Sequence, residues 1–362
     1  MRIIASAGTA LLLGSTAAMA GGLDRSGQGI TALFEAGTVV ELSYGSVMPD
    51  VTGSVGGGAL GSGNVGSDYS TLSLSFKTDI NDRISLALII DEPFGANVDY
   101  GNADAGYPLE DSFAEFRSTG VTAMGRYKFN DRFSLHAGAR LITIDADAVV
   151  DFTNVGGGVY DASYDSASDV SFVVGGAYEI PDIALRVALT YATATEFTHA
   201  TTLQVAPSVF SPIADTTYEM PQSVNLDFQT GIAADTLLFG SVRWADWSET
   251  QINSEFYPGN PLVGYDEDYV SYSVGVGRKF SDTFSGAISV GYEAATGDLA
   301  DNLAPTDGYL SLQVGGTYTI DNIEITGGVR YVMLGDATTE TFGAEFADNS
   351  AIGAGVSVAY RF

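Results

Sequence analysis

Residues 351–362 read AIGAGVSVAYRF. Ile352, Ala354, Val356, Val358, Tyr360 and Phe362 share one face, and Gly353, Gly355, Ser357, Ala359 and Arg361 share the other. Period two defines a β-strand. An apolar strand face at an open sheet edge invites aggregation. In a closed barrel the same face meets lipid and the edge disappears. The rest of the chain repeats this pattern, so the sequence predicts an all-β fold: a transmembrane antiparallel β-barrel.

Fourteen strand-like runs are expected at 38–48, 69–78, 83–91, 113–129, 132–147, 168–180, 182–198, 217–232, 236–248, 269–280, 283–294, 308–320, 322–334 and 351–362. Their connections alternate between short turns rich in Asn, Asp and Pro (Asn81-Asp82, Asn130-Asp131, Pro181-Asp182, Ser281-Asp282) and long loops. Short turns at one end and long loops at the other is the layout of bacterial outer-membrane barrels. It puts both chain ends on the periplasmic side. Phe129, Phe133, Tyr178, Phe280, Phe284, Tyr318 and Tyr360 cluster near the short turns, where an aromatic girdle belongs.

Residues 1–20 carry a basic start, a short apolar run and the small-residue site Ala18-Met19-Ala20, the pattern of a cleaved signal peptide. The alternative is an uncleaved anchor. The chain then divides into the signal (1–20), an N-terminal segment (21–37) and the barrel (38–362). Leu23, Ile30, Leu33 and Phe34 give the short segment an apolar content that a disordered tail would not need. They suit a plug, or hatch, inside the barrel; the alternative is a periplasmic tail.

The 362-residue chain has no cysteine, 44 glycines, 19 tyrosines and a net charge of −30. Such a surface repels nucleic acid. The acids gather in loops, either as solvated surface or as sites for divalent cations at the lipopolysaccharide face. No segment has the spacing of a known metal loop, and no cofactor or metal is expected. Lys77, Arg126, Lys128, Arg140, Arg186, Arg243 and Arg330 share the lumen-facing parity, as the cost of a charge facing lipid requires. Arg126, Arg140, Arg186, Arg243 and Arg330 are candidates to receive an anionic head group, or partners of lumen acids such as Glu324. Met124, Ile142, Ile144 and Phe239 are candidates for an apolar lumen pocket.

Several segments together resemble the FadL family of outer-membrane long-chain fatty-acid transporters. They are Asp91-Glu92-Pro93-Phe94-Gly95 followed by Tyr100, and Tyr127-Lys128-Phe129-Asn130-Asp131-Arg132-Phe133-Ser134 followed by Gly138. Further on come Pro221-Gln222-Ser223-Val224, Trp244-Ala245-Asp246-Trp247-Ser248, and Pro305-Thr306-Asp307 leading into Gly315, Tyr318 and Gly328. The resemblance implies fourteen strands, an N-terminal hatch in the lumen and an inward kink in the third strand that opens the wall sideways. The kink falls here at Pro93, Phe94 and Gly95; proline cannot donate a ladder hydrogen bond. One departure is clear: the family's Asn-Pro-Ala before the first strand is replaced by Phe34-Glu35-Ala36-Gly37.

The expected function is passive uptake of a long-chain fatty acid or similar hydrophobic molecule. It would enter near loops 148–167 and 199–216, occupy an apolar pocket, pass the hatch and leave laterally at strand three. The alternative is a general diffusion porin for small polar solutes. An enzyme is not expected, since His136 beside Ser134 lacks an orienting partner. The expected surroundings are outer-membrane lipid and lipopolysaccharide. The state is taken as a monomer, because outward Tyr and Trp suit lipid.

Overall fold

The computed structural model describes residues 22–205, 213–255, 257–259 and 261–362. The signal-peptide stretch 1–20 and Gly21 lie outside the described residues. Fourteen antiparallel wall strands follow one another around a closed barrel. They are β1 (Val39–Asp50), β2 (Tyr69–Asp79), β3 (Ile84–Asp91, resumed at Gly95–Asp99), β4 (Phe113–Lys128), β5 (Phe133–Asp151), β6 (Val159–Ile180) and β7 (Leu185–Ala192, resumed at Thr195–Val205). They continue with β8 (Ile213–Met220, resumed at Ser223–Ala233), β9 (Thr236–Ala245), β10 (Tyr269–Lys279), β11 (Phe284–Glu293), β12 (Tyr309–Ile320), β13 (Ile323–Leu334) and β14 (Ser350–Arg361). The ring closes where β14 pairs with β1, from Val39↔Arg361 to Asp50↔Ser350.

The alternation expected from sequence is what orients the wall. Leu310, Leu312, Val314, Tyr318 and Ile320 of β12 are exposed on the outside, as are Phe284, Ile288, Val290 and Tyr292 of β11. The inward neighbours are small or polar. A membrane is the medium that makes such a surface stable, because lipid replaces the protein core that these side chains would otherwise need. The short turns are held by their own side chains. Asn81 Oδ1 accepts from the Arg83 and Ile84 amides, and Asn130 Oδ1 from the Arg132 and Phe133 amides. Aromatic pairs flank this end, with Phe133–Tyr178 at 5.0 Å and Phe280–Phe284 at 5.7 Å.

Strand edges differ from expectation mainly at the long-loop end. β6 begins at Val159, well before 168, and β7 runs on to Val205 rather than 198. β5 and β6 stay paired out to Asp151↔Val159. In the opposite direction, β9 stops at Ala245, because Trp247–Glu249 forms a single 3-10 turn that buries Trp247 completely. The glycine-rich first loop folds into a hairpin, Thr52–Val55 against Leu60–Asn64, which joins Ala337–Thr338 and Glu345–Phe346 in a small second sheet.

The expectation that both ends of the chain lie on the periplasmic side needs a correction. β1 does start at the short-turn end. The segment before it, however, runs the length of the lumen. Gly37 is held at the short-turn end by Asp79 and Lys77. Gly22 lies against Trp247 among the long loops. Residues 22–37 therefore run inside the barrel from the long-loop end to the short-turn end before β1 begins.

Candidate functional site

The lumen is organised by residues 22–37, which bind the inner wall mainly by side-chain contacts, with a single backbone bridge at Asp24↔Phe94. Asp24 meets Arg243 through two oxygens, at 2.8 and 3.0 Å. Gln28 accepts from Arg140 through its side chain, and through its carbonyl at 3.2 Å. Asn225 Nδ2 donates to the Gly27 carbonyl at 3.0 Å. Ile30 and Leu33 are buried with Ala87, Met124, Val173 and Ala192. Phe34 sits between two guanidinium groups, 4.5 Å from Arg126 and 4.6 Å from Arg186, with His136 edge-on at 5.8 Å. Glu35 meets Arg361 at 2.8 Å.

The second feature is a break in the wall. The β2–β3 ladder runs from Asp79↔Ser85 to Leu74↔Ile90 and ends there. On its other side β3 pairs with β4 up to Asp91↔Gly120 and resumes at Gly95↔Arg117. Three residues, Glu92, Pro93 and Phe94, therefore face two on β4, a one-residue bulge of the kind that bends a strand. Pro93 has no amide proton to give. The backbone of this bulge turns to the N-terminal segment instead. The Arg25 amide donates to the Pro93 carbonyl at 2.9 Å, and the Gly95 amide to the Leu23 carbonyl at 2.8 Å. No β2–β3 ladder pair lies beyond Leu74↔Ile90 among the described residues; the Leu72 amide donates to Glu92 Oε1 at 3.2 Å.

Arg25 fills this corner. Its guanidinium lies 4.1 Å above the Tyr69 ring, 3.6 Å from Glu92, and on the Asn97 side chain. It therefore touches both lips of the break and is itself buried. Gly95 is what lets it in, since a methyl group at that position would collide with the guanidinium.

The third feature is a cavity of about 290 Å³ against the break, between the N-terminal segment and strands β8–β14 and β1–β3. Its wall is polar. Ser43, Ser73, Ser241, Ser271, Ser289 and Ser311 contribute hydroxyls. Asp24, Glu41, Asp91, Glu92, Asp227 and Glu293 oppose only Arg25, Arg243 and Arg330. Glu293 Oε1 and Asp91 Oδ1 are buried and lack a hydrogen-bond partner. Above it, the long-loop half of the lumen is packed with apolar and aromatic side chains, including Phe94, Tyr100, Tyr107, Phe197, Tyr218 and Trp247.

The residues singled out from sequence occupy distinct environments. Arg126 and Arg186 meet at Phe34, and Arg126 also binds Glu179 and Ser134. Arg140 holds Gln28 and Thr122. Arg243 and Arg330 both line the cavity; Arg330 donates to Ser311 at 3.0 Å and lies over the Tyr309 ring. The five do not form one cluster. Ile142 and Ile144 belong to the upper apolar cluster, Met124 packs with Ile30 and Leu33, and Phe239 lines the cavity. Leu23 is in the upper cluster beside Phe94. Pro93, Phe94 and Gly95 stand at the break. Sequence reading missed Asp24, Arg25, Asp91 and Glu293. Asp91 appeared only inside the Pro-Phe-Gly motif, and nothing local marks the other three, whose partners lie elsewhere in the chain, such as Arg243 for Asp24 and Tyr69 and Asn97 for Arg25.

His136 and Ser134, weighed in the sequence as a catalytic pair, have other partners. His136 Nε2 contacts Thr190 at 2.9 Å, and Ser134 accepts from Arg126. His199 is held between the Asp165 carbonyl and the Tyr218 hydroxyl.

No protein-family profile matches the chain, and no curated protein is similar to it in sequence. Among solved structures the barrel is similar to a Pseudomonas aeruginosa FadL homologue, with a TM-score of 0.76 at 15% identity over 91% of this chain and 92% of that one. It is also similar to the Pseudomonas putida toluene transporter TodX, at 0.66 and 14% over 95% of each chain. The Ralstonia pickettii toluene transporter TbuX gives 0.65 and 14% over 91% of each. The fold is therefore that of the FadL-type barrels, as the sequence resemblance implied.

Proposed function

We propose that the protein is an outer-membrane channel for passive uptake of hydrophobic small molecules, with lateral release through the β2–β3 break. The observation that carries this reading is the break itself. A barrel that only needed to be stable would continue the ladder past Leu74↔Ile90. Here a bulge, a proline and the N-terminal segment all divert β3 from β2. A hydrophobic molecule gains about 0.8 kcal/mol for each methylene it buries. The apolar upper lumen offers that gain, and lipid beside the break offers it again. The N-terminal segment then acts as the hatch.

Two kinds of cargo fit. A long-chain fatty acid needs a cationic site for its carboxylate, and Arg243 with Arg330 at the cavity is the candidate pair. A neutral aromatic or aliphatic hydrocarbon needs none. The engagement of Arg243 by Asp24, together with the surplus of carboxylates around the cavity, favours neutral cargo while the segment is in place. The toluene transporters of like fold are consistent with this. A general diffusion porin is disfavoured, because residues 22–37 and the aromatic cluster occupy the lumen that a water pathway needs.

The test is uptake of radiolabelled toluene and of a radiolabelled long-chain fatty acid by a Gram-negative host lacking its own transporters. Saturable uptake of either that depends on this chain supports the reading. Steady ion conductance without hydrophobic uptake would favour the porin.

A further inference from the structure

Glu293 ends β11 on its lumen face. Phe284, Ile288, Val290 and Tyr292 point outward, and Ser285, Ala287, Ser289, Gly291 and Glu293 alternate with them. Register sets Glu293 opposite Ser271 of β10, whose hydroxyl donates to Glu293 Oε2 at 2.6 Å. The other oxygen, Oε1, has no hydrogen-bond partner among the described residues, although Glu293 is only 3% exposed and lines the cavity of about 290 Å³. Asp91 Oδ1, on β3, is stranded on the same cavity. A buried carboxylate oxygen without a donor carries the desolvation cost of a charged group. The charges of this wall are not balanced either. Asp24 is spent on Arg243 and Glu92 on Arg25, which leaves Glu41, Asp91, Asp227 and Glu293 against Arg330. Water donates to such oxygens but supplies no charge. A metal ion needs ligands gathered at one point, and no group of three acidic or histidine side chains is so placed among the described residues.

The same cavity has room for an apolar body. Gly45 faces Gly355, and Gly355 faces Gly328, so three neighbouring strands bring no side chain to the wall at one level. Phe239, which also lines the cavity, lies over Gly275, where a Cβ would meet its ring at 2.6 Å. From Ser271 to Gly275 along β10 is about 13 Å at the rise of a strand. An anionic end at Glu293 and an aromatic end at Phe239 are thus set apart by the length of a small amphiphile. We propose that this cavity binds a hydrophobic primary amine, with its ammonium on Glu293 and its apolar body reaching toward Phe239. A primary ammonium supplies the N–H donors and the positive charge that the wall lacks. A carboxylate in its place would add to the excess of like charge. The proposal concerns binding inside the lumen and does not rest on release through the break.

The experiment is equilibrium dialysis of the purified barrel in non-ionic detergent against radiolabelled phenylbutylamine, with protein-free micelles as the blank. Three analogues of like shape are compared with it: neutral phenylbutanol, the quaternary phenylbutyltrimethylammonium ion and anionic phenylbutyrate. The expected result is one saturable site, with the primary amine bound about tenfold or more tighter than the alcohol or the quaternary ion, the scale of hydrogen bonds to a charged group. Phenylbutyrate should bind more weakly than the alcohol. Glu293→Gln should weaken the amine by about the same factor and leave the alcohol unchanged, whereas Phe239→Ala should weaken both. A Glu293 that served only the structure of the barrel would move the two ligands together, and that outcome overturns the proposal. So does a wild type that binds the amine no better than the alcohol or the quaternary ion, a comparison that needs no variant. None of these results bears on the uptake assays.

Discussion

Asp24 and Arg243, 219 positions apart, form a two-point ion pair at 2.8 and 3.0 Å in the middle of the lumen. Both side chains are nearly buried. Removing one partner leaves the other charge without compensation, at a cost of about 3–5 kcal/mol. Arg243→Ala should therefore free the upper part of the N-terminal segment while leaving the barrel closed. Hydrogen exchange should show loss of protection at residues 22–28 alone. The Asp24→Asn, Arg243→Gln double variant should be less affected than either single variant, since it leaves no stranded charge.

Phe34 occupies the lower lumen between Arg126 and Arg186. Each cation–π contact contributes about 0.5–2 kcal/mol when desolvated. Phe34→Ala removes the ring that both guanidinium groups contact. Single-channel recordings should show ion conductance above the wild-type level, with heat-modifiable gel migration unchanged. Polar replacement of Leu33 and Phe34 together should also alter hydrophobic uptake. Unaltered uptake would remove the segment's role as a hatch.

Whatever conductance the protein has should favour cations, because six carboxylates face three guanidinium groups in the cavity. Reversal potentials under a potassium chloride gradient provide the measurement. Asp91→Asn with Glu293→Gln should reduce the preference, as both residues line the cavity with an unpartnered oxygen. Anion selectivity in the wild type would contradict this picture of the lumen.

Trp247 is fully buried, with Phe94 edge-on at 6.0 Å and Tyr265 at 5.1 Å. Truncating such a side chain costs about 3–5 kcal/mol. Trp247→Ala should loosen the long-loop end and the start of the N-terminal segment. The short-turn end, held by its own Asn side chains, should keep its exchange protection.

The strand count, the outward faces and the turns were legible because each is written in local spacing. Period two marks the wall and Asn-Asp marks the turns, whereas the kink at Pro93 was expected from the family resemblance. The path of residues 22–37 was not legible. Leu33 and Phe34 announce burial, but nothing in the segment says that it begins beside Trp247 or that Arg25 reaches Tyr69. The arginines illustrate the same limit. Parity placed them in the lumen, while their partners, Asp24 for Arg243 and Gln28 for Arg140, follow only from the three-dimensional course of the chain. The extended β6 and β7 were missed because their outer ends, rich in Asp, Ser and Thr, read as loop.

The central claim is that cargo leaves through the wall between β2 and β3. Continuing the register past Leu74↔Ile90 would oppose Ser73 to Asp91. The natural chain has no cysteine, so a Ser73→Cys, Asp91→Cys pair gives a single cross-link that closes the break. Uptake of radiolabelled hydrophobic cargo should fall to the level of the empty host when the pair is oxidised and return on reduction. Uptake that is the same in both states would contradict lateral release and send the cargo down the axis of the barrel.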